Sequence, residues 1–459
     1  MNRCHVLPRM TIARLVKKNL SLLFSLFLGL IQAQENTSVN LNMGIADELS
    51  YASPAAVGLD SVYIYTKVDS IMALGIREEA FPGAQLLVAK QGKVIFHKAY
   101  GYHTYDNIQP VTLNDIYDMA SVTKITAALP ALMKLHGAGK LSLDKPFSDY
   151  WGPWKKVADK TDLTVREILA HQAGLEPYIV FLNEVTKKNG TLKRRWVHHK
   201  ENSKYRNQAF ENLYVNERFK KKIYREISKS KVSNEKKYTY SGLTFLLVPQ
   251  IIENLTGIEY SQYLRGHFYD PLGNKTMGFK PKNKSFSNAI VPTEIDTFFR
   301  NTLTKDWVHD ENAALMGGIS GNAGLFATAE DLARLMQLYM NYGTYGGKRY
   351  LEEETVKEFI KVQYPDNDNR RGLGFDKPLL GNDTLPLKEA YPAPQASAES
   401  FGHSGFTGTF VWADPKDQLV FIFLSNRVYP SRAHRNLYDL NIRTTLHSVF
   451  YKAQKATPN

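Results

Sequence analysis

Two strand-rich hairpins, one near each end of a 459-residue chain, constrain this fold more than any other feature of the sequence. The first joins Gly83–Lys90 to Lys93–Tyr100 across Gln91-Gly92. The second joins Thr409–Ala413 to Gln418–Leu424 across Asp414-Pro415-Lys416-Asp417. Short β-branched and aromatic runs bounded by Gly, Pro and Asp signal hairpins. The chain between them reads as mainly helical. Thr328-Ala329-Glu330-Asp331 has the form of a capping box opening an amphipathic helix to about Tyr339, and Gly343–Gly347 ends it. Helices are also expected from Leu59 to Leu74 and from about Ala433 to Tyr451. These elements predict an α+β fold, with one antiparallel sheet built from both chain ends, flanked by helices, and a mainly helical lobe inserted. The expected boundaries are a sheet lobe of about residues 52–118 and 385–453 and a helical lobe of about 119–384.

Residues 1–33 have the layout of a secretory signal. Arg3, Arg9, Arg14, Lys17 and Lys18 form a basic front with no acid among them, an apolar run extends from Leu20 to Ile31, and Ala33 offers a small residue before Gln34. That run is short for a membrane span. The polar stretch 34–51 reads as a linker and residues 52–453 as the mature domain. A periplasmic or secreted protein without a stable membrane anchor is therefore expected. The single cysteine, Cys4, lies inside the signal, which removes disulfide and thiolate chemistry from the mature chain. The formal charge of +13 is unevenly spread, because residues 187–237 alone hold 17 Lys or Arg against 5 Glu. With Trp196, Tyr205, Phe210, Tyr214, Phe219 and Tyr224 interleaved, this segment reads as a solvated helical cover with a small apolar face. Its charge would attract an anionic substrate or wall polymer. An exported location argues against nucleic acid as the partner.

Chemistry concentrates in Met119-Ala120-Ser121-Val122-Thr123-Lys124, followed at once by helical apolar spacing at Ile125, Ala128, Leu129, Leu132 and Met133. Ser121 falls in the first turn, and Lys124 shares its face. A serine hydroxyl is a weak nucleophile until a base takes its proton. A lysine can be that base only where burial or positive neighbours favour its neutral form. The helix N-terminus supplies positive partial charge for this, and its unpaired N–H groups suit an oxyanion. Taken alone, Ser-x-x-Lys more often describes a helix cap followed by a surface lysine. Pro130 is expected to kink the helix beyond the reacting turn.

The order of motifs along about residues 54–450 resembles the serine β-lactamase and penicillin-binding-protein superfamily, in its class C, D,D-peptidase and family VIII esterase branch. Phe81-Pro82-Gly83-Ala84 resembles the family's opening, and Leu163–Leu175 its helix and loop after the nucleophile helix. Gly317-Gly318 through Gly324-Leu325-Phe326, with Asp331-Leu332-Ala333, is similar to its later helical segment. The resemblance implies a β-lactamase/transpeptidase-like fold, with Ser121 as nucleophile and Lys124 as its base. It implies that Tyr240, in Tyr240-Ser241-Gly242, shares their protons and protonates the leaving group. Tyr238 is a nearby competitor, and Leu243–Ile252 is expected as a buried helix. Gly242 departs from the pattern, since the family has an asparagine there to hold the amide of a peptide or β-lactam. The family's Lys-Thr-Gly strand is matched by His403-Ser404-Gly405. The resemblance therefore implies substrate and oxyanion contacts from His403, Ser404, Gly405 and the backbone N–H of Phe406. His403 would carry charge near neutral pH, and Gly405 would let substrate lie against the strand edge.

No Gly-x-Ser-x-Gly or His-Glu-x-x-His occurs, so the α/β-hydrolase elbow and the zinc-protease helix are both excluded. His198-His199 reads as solvent-facing. The expectation is an exported serine hydrolase that forms an acyl-enzyme on Ser121 and cleaves an ester or small amide, with no metal or organic cofactor. A peptidoglycan D,D-carboxypeptidase, D-aminopeptidase or weak β-lactamase is the alternative, and a non-catalytic penicillin-binding sensor is another. The expected partner is a small ester or amide or a cell-wall peptide, and the sequence leaves the oligomeric state open.

Overall fold

The computed structural model describes residues 48–283 and 288–453. The signal and most of the linker lie outside the described residues. Both hairpins form where the sequence places them, in one six-stranded sheet. Its strands are β1 (Ser50–Tyr51), β2 (Gly83–Lys90), β3 (Lys93–Gly101), β4 (Phe401–Ser404), β5 (Phe410–Asp414) and β6 (Leu419–Ser425), in the order β1-β3-β2-β6-β5-β4. The two chain ends meet at the antiparallel β2–β6 pair, where Ala84 lies opposite Ser425 and Lys90 opposite Leu419. β1 is the one parallel strand, pairing Ser50 with Lys93. The end of the stretch read as a linker is therefore part of the sheet edge.

The longer helices are α1 (Ser61–Arg77), α2 (Leu129–Gly137), α3 (Arg218–Lys229), α4 (Val248–Thr256), α5 (Ala329–Met340) and α6 (Ile442–Lys452). The strands read as nearly continuous apolar runs because both sheet faces are covered. Leu86, Val88, Phe421 and Phe423 point one way, onto Ile64, Val68 and Met72 of α1 and Leu446 and Phe450 of α6. Their alternates Leu87, Ala89, Val420 and Ile422 face Leu332, Leu335 and Met336 of α5. Each of these side chains larger than alanine contributes about 1.5–3 kcal/mol on burial. The i, i+4 spacing in α1 is preceded by a cap, Asp60, whose carboxylate accepts the Tyr63 N–H at 3.0 Å. Among the described residues no helix is long and apolar enough to cross a membrane.

Several expectations change. Thr328 does cap α5, but Asp331 does not close the box: its carboxylate accepts the N–H groups of Thr276 (2.8 Å) and Met277 (3.0 Å). The last helix is split, because Asn441 adopts φ +50° and separates Asn436–Asp439 from α6. The inserted lobe is less helical than expected. It carries a three-stranded sheet of Tyr117–Asp118, Leu325–Ala327 and Gly278–Phe279, and another of Val197–His198, Leu213–Val215 and Asn207–Phe210. The second occupies the front of the basic segment, and only its back half is helical, as α3, with Phe219, Ile223 and Ile227 buried at i, i+4 spacing. His198 and His199 are exposed. Residues 316–324 are a loop rather than a helix, with Gly317, Gly318 and Gly324 at φ of +88°, +82° and +105°.

Candidate functional site

Ser121 does not open a regular α-helix. Ala120–Val122 is a 3-10 turn, Lys124–Ala128 is a π-helical turn, and α2 begins only at Leu129. Pro130 lacks the N–H that would continue the helical ladder backward. Two carbonyls of this loosened stretch are taken by tyrosine hydroxyls, Ile125 by Tyr339 (2.7 Å) and Thr126 by Tyr269 (2.9 Å). The irregularity thus reaches into the turn that carries Lys124, not only beyond it. Ala120 sits at φ +44°, a sparsely populated region for a residue with a Cβ. Its N–H is held by the Asp118 carboxylate at 2.8 Å, whose other oxygen accepts the His309 N–H at 2.7 Å.

The strained turn aims Ser121 at Lys124, whose Nζ lies 3.1 Å from Ser121 Oγ. Lys124 is only 2% exposed, and its ammonium position reaches the Asn322 carbonyl at 3.0 Å. Among the described residues no carboxylate is within ion-pair distance of it. The Tyr240 ring lies against it, 5.3 Å from Nζ to centroid, and the Tyr240 hydroxyl is buried without a protein partner. Tyr240 is in turn flanked by His171 and His403, with ring centroids 4.6 and 6.0 Å away. Leu243–Ile252, expected as one helix, is a 3-10 turn at Thr244–Leu246 followed by α4.

His403 ends differently from the expectation. Burial, then the nearby Arg371, pushes its imidazole down to about 3, so it is neutral near pH 7. Its Nδ1 lies 2.7 Å from the Ser404 carbonyl, which can only accept, so Nδ1 holds the proton and the buried Nε2 presents a lone pair. Gly405 also has another reason to be glycine. A Cβ there would lie 2.6 Å from the Met119 carbonyl oxygen and would overlap Thr409 Oγ1. The residue makes room for the Ser121 turn itself, which Thr407 and Thr409 tie down by donating to the carbonyls of Asp118 (2.9 Å) and Met119 (3.3 Å). Ser404 closes β4, partly buried. Phe406 is 48% exposed and clamped between the His309 ring (5.7 Å) and the Arg427 guanidinium (4.6 Å). The N–H groups of Ser121 and Phe406 are not used in backbone pairing. At Gly242 an added Cβ would meet nothing within 4 Å.

Four contributors were not picked out from the sequence. The Asn322 carbonyl belongs to the Gly-rich loop 316–324, where side-chain chemistry gives no hint of a backbone role. His171 lies inside a stretch singled out only for family order, and its Nδ1 accepts the Ser241 N–H at 3.2 Å. Arg371 and Asp376, 3.0 Å apart and buried, come from a segment with no recognised motif.

A sheet closed from both chain ends, with Ser121 and Lys124 where the inserted lobe meets β4, defines the β-lactamase/transpeptidase-like α+β class. Residues 67–444 match the Beta-lactamase family model, and the chain belongs to that family of serine hydrolases. It is 32% identical over 406 residues, 83% of this chain and 86% of the relative, to a Salmonella typhimurium protein provisionally named a D-alanyl-D-alanine carboxypeptidase. Its fold is similar to that of EstCE1, a hydrolase with promiscuous acyltransferase activity (TM-score 0.59, 18% identity, 84% of this chain and 98% of that one). It is also similar to the octameric penicillin-binding protein homologue from Pyrococcus abyssi (TM-score 0.60, 20% identity, 85% and 78%).

Proposed function

We propose that the protein is an exported hydrolase that forms an acyl-enzyme on Ser121 and cleaves an ester or small amide. The observation that carries the reading is the buried Lys124 Nζ 3.1 Å from Ser121 Oγ, with no carboxylate to fix it as an ammonium ion. In this scheme the amine form of Lys124 takes the Ser121 proton as Oγ bonds to the substrate carbonyl carbon. The N–H groups of Ser121 and Phe406 stabilise the oxyanion. Tyr240 gives its proton to the departing oxygen or nitrogen as that bond breaks, and recovers one from Lys124. Water then attacks the acyl group by the reverse proton path, freeing Ser121. His403, Ser404 and Gly405 form the strand along which the acyl group lies.

The ester reading is favoured by Gly242, which offers no carboxamide for an amide substrate, and by neutral His403, whose lone pair cannot pair with a free substrate carboxylate. A D,D-carboxypeptidase is the second reading, favoured by the name of the 32%-identical relatives. Export is supported by the basic and apolar layout of residues 1–33.

The test is turnover of a short-chain p-nitrophenyl ester and of an N-acyl-D-Ala-D-Ala peptide, by the mature protein and by Ser121→Ala. Ester turnover that falls on the order of 10⁴-fold in Ser121→Ala is expected. Peptide release without ester turnover would select the second reading. Equal rates in both proteins would refute the acyl-enzyme.

A further inference from the structure

Two buried basic side chains face the Tyr240 ring: Lys124 Nζ at 5.3 Å and Arg371 Cζ at 5.5 Å from its centroid. Lys124 also reaches Ser121 Oγ at 3.1 Å, whereas Arg371 pairs with Asp376. A guanidinium keeps its charge throughout the working pH range, so Arg371 is a fixed cation rather than a proton carrier.

The position of Arg371 is built from several sides. Its backbone N–H donates to Asn369 Oδ1 at 2.9 Å. The fully buried Asn369 side chain donates to the Ala170 carbonyl (2.9 Å) and to Gln172 Oε1 (2.7 Å), on either side of His171. The guanidinium donates to the Gly374 carbonyl at 3.1 Å and pairs with Asp376 at 3.0 Å. Asp376 and Gly402 exchange backbone hydrogen bonds of 2.8 and 2.9 Å, one residue from His403. Gly374, at φ +75°, packs so closely on α2 that a Cβ would meet Leu129 at 2.8 Å. Segment 369–376 is thus fastened to the elements that carry His171, His403 and the helix after Lys124. Asp376 is shared with Arg370 at 2.6 Å, so two guanidinium groups face one carboxylate and the cluster stays net positive.

We propose that Arg371 is a positioning residue for Tyr240, stabilising the negative charge that crosses its ring while it passes a proton to the leaving group. This rests on the proposed role of Tyr240. When Tyr240 gives up its O–H proton a phenolate forms, its charge spread over the ring. The proton that Lys124 took from Ser121 then restores the phenol. A desolvated cation over the ring face attracts the phenolate more than the phenol. The other neighbours supply no such charge: burial, then Arg371, holds His171 and His403 neutral, and Tyr238 is a phenol raised by burial.

The test compares wild type, Arg371→Met, Arg371→Lys and Ser121→Ala on the p-nitrophenyl ester from pH 5 to 10, with thermal melting as the folding control. Asp376 keeps Arg370 as partner in Arg371→Met. We expect kcat to fall about 10- to 100-fold with KM within about twofold. The alkaline limb of the kcat profile should move up by about one pH unit. Arg371→Lys should restore the limb toward its wild-type position and part of kcat. Should the Met variant melt below assay temperature, Arg371→Gln, which keeps a donor for the Gly374 carbonyl, carries the same expectation. A profile superimposable on wild type after scaling, or a loss confined to KM, overturns the proposal. If Ser121→Ala retains turnover, the acyl-enzyme reading fails. If Ser121→Ala is inactive while Arg371→Met matches wild type, only the role of Arg371 fails.

Discussion

A single methyl group on Gly405 would wedge apart the two backbone segments that present the proposed oxyanion donors. The built Cβ lies 2.6 Å from the Met119 carbonyl oxygen, with Thr409 Oγ1 closer still. The hydroxyl can rotate or be deleted. The carbonyl cannot easily retreat, because the Met119 N–H is fixed to the Leu325 carbonyl at 2.9 Å and the next residue is the strained Ala120. Reaching an ordinary contact requires β4 and the Ser121 turn to part by roughly 0.8 Å. A misplacement near 1 Å in reacting geometry costs about 10²-fold in rate, and overpacking of this kind costs about 1–3 kcal/mol. Gly405→Ala should therefore lower kcat for the p-nitrophenyl ester about 30- to 100-fold. KM should change less, and the melting temperature should fall by about 1–4 °C. Steady-state kinetics and melting followed by circular dichroism measure all three. In Gly405→Ala/Thr409→Ala the side-chain obstacle is gone but the carbonyl stays, so rescue should be partial. Unchanged kcat and melting in the single variant, or full rescue in the double, would refute the reasoning.

Gly242→Asn should be tolerated within about 0.5 kcal/mol, since the Cβ enters open space. It should also accelerate acylation by a chromogenic cephalosporin and by N-acyl-D-Ala-D-Ala; unchanged rates would show that the carboxamide is not what the site lacks. His97 and His447 are held by burial at about 4 and about 3. Below about pH 6.5 the unfolded chain binds protons that the folded chain refuses, so stability falls as pH drops toward those values. His447→Leu should flatten that dependence by up to about 1.4 kcal/mol per pH unit between pH 6 and 4, read by urea titrations; an identical slope would exclude His447 as a source. Neutralising Lys200, Lys204 and Lys221 should raise KM for a carboxylate-bearing ester more than for a neutral one, the difference fading in high salt. Equal effects on both esters would remove substrate steering from the basic segment.

The parts of this fold that could be read in the sequence are those where local pattern and tertiary need agree. The two hairpins carry their own turn residues, and α1 and α5 carry apolar spacing and caps, so each was found within one to three residues of its ends. Ser121, Lys124, Tyr240 and His403 were legible as side-chain types in a familiar order, and the structure brings them together. Features decided by distant partners were not legible. Asp331 abandons its capping role because the Thr276–Met277 N–H groups compete for its carboxylate. The neutral state of His403 depends on burial beside Arg371, from a segment about thirty residues upstream that nothing local marks. The backbone roles of Asn322 and Met119 have no side-chain signature at all.

The β2–β6 pair also governs the order in which the molecule can assemble. Residues 84 and 425 must find each other across nearly the whole domain, a contact of very high sequence separation and correspondingly slow closure. Until β6 has been synthesised, the β2–β3 hairpin has an unpaired inner edge and two bare apolar faces, which makes a half-made chain prone to aggregation. Thr407 and Thr409, which fasten the Ser121 turn, arrive with the same late segment. A nascent chain ending near residue 400 would already contain Ser121, Lys124 and Tyr240 but would lack the wall that sets their geometry. The cleft around Ser121 is therefore completed only with the final strands.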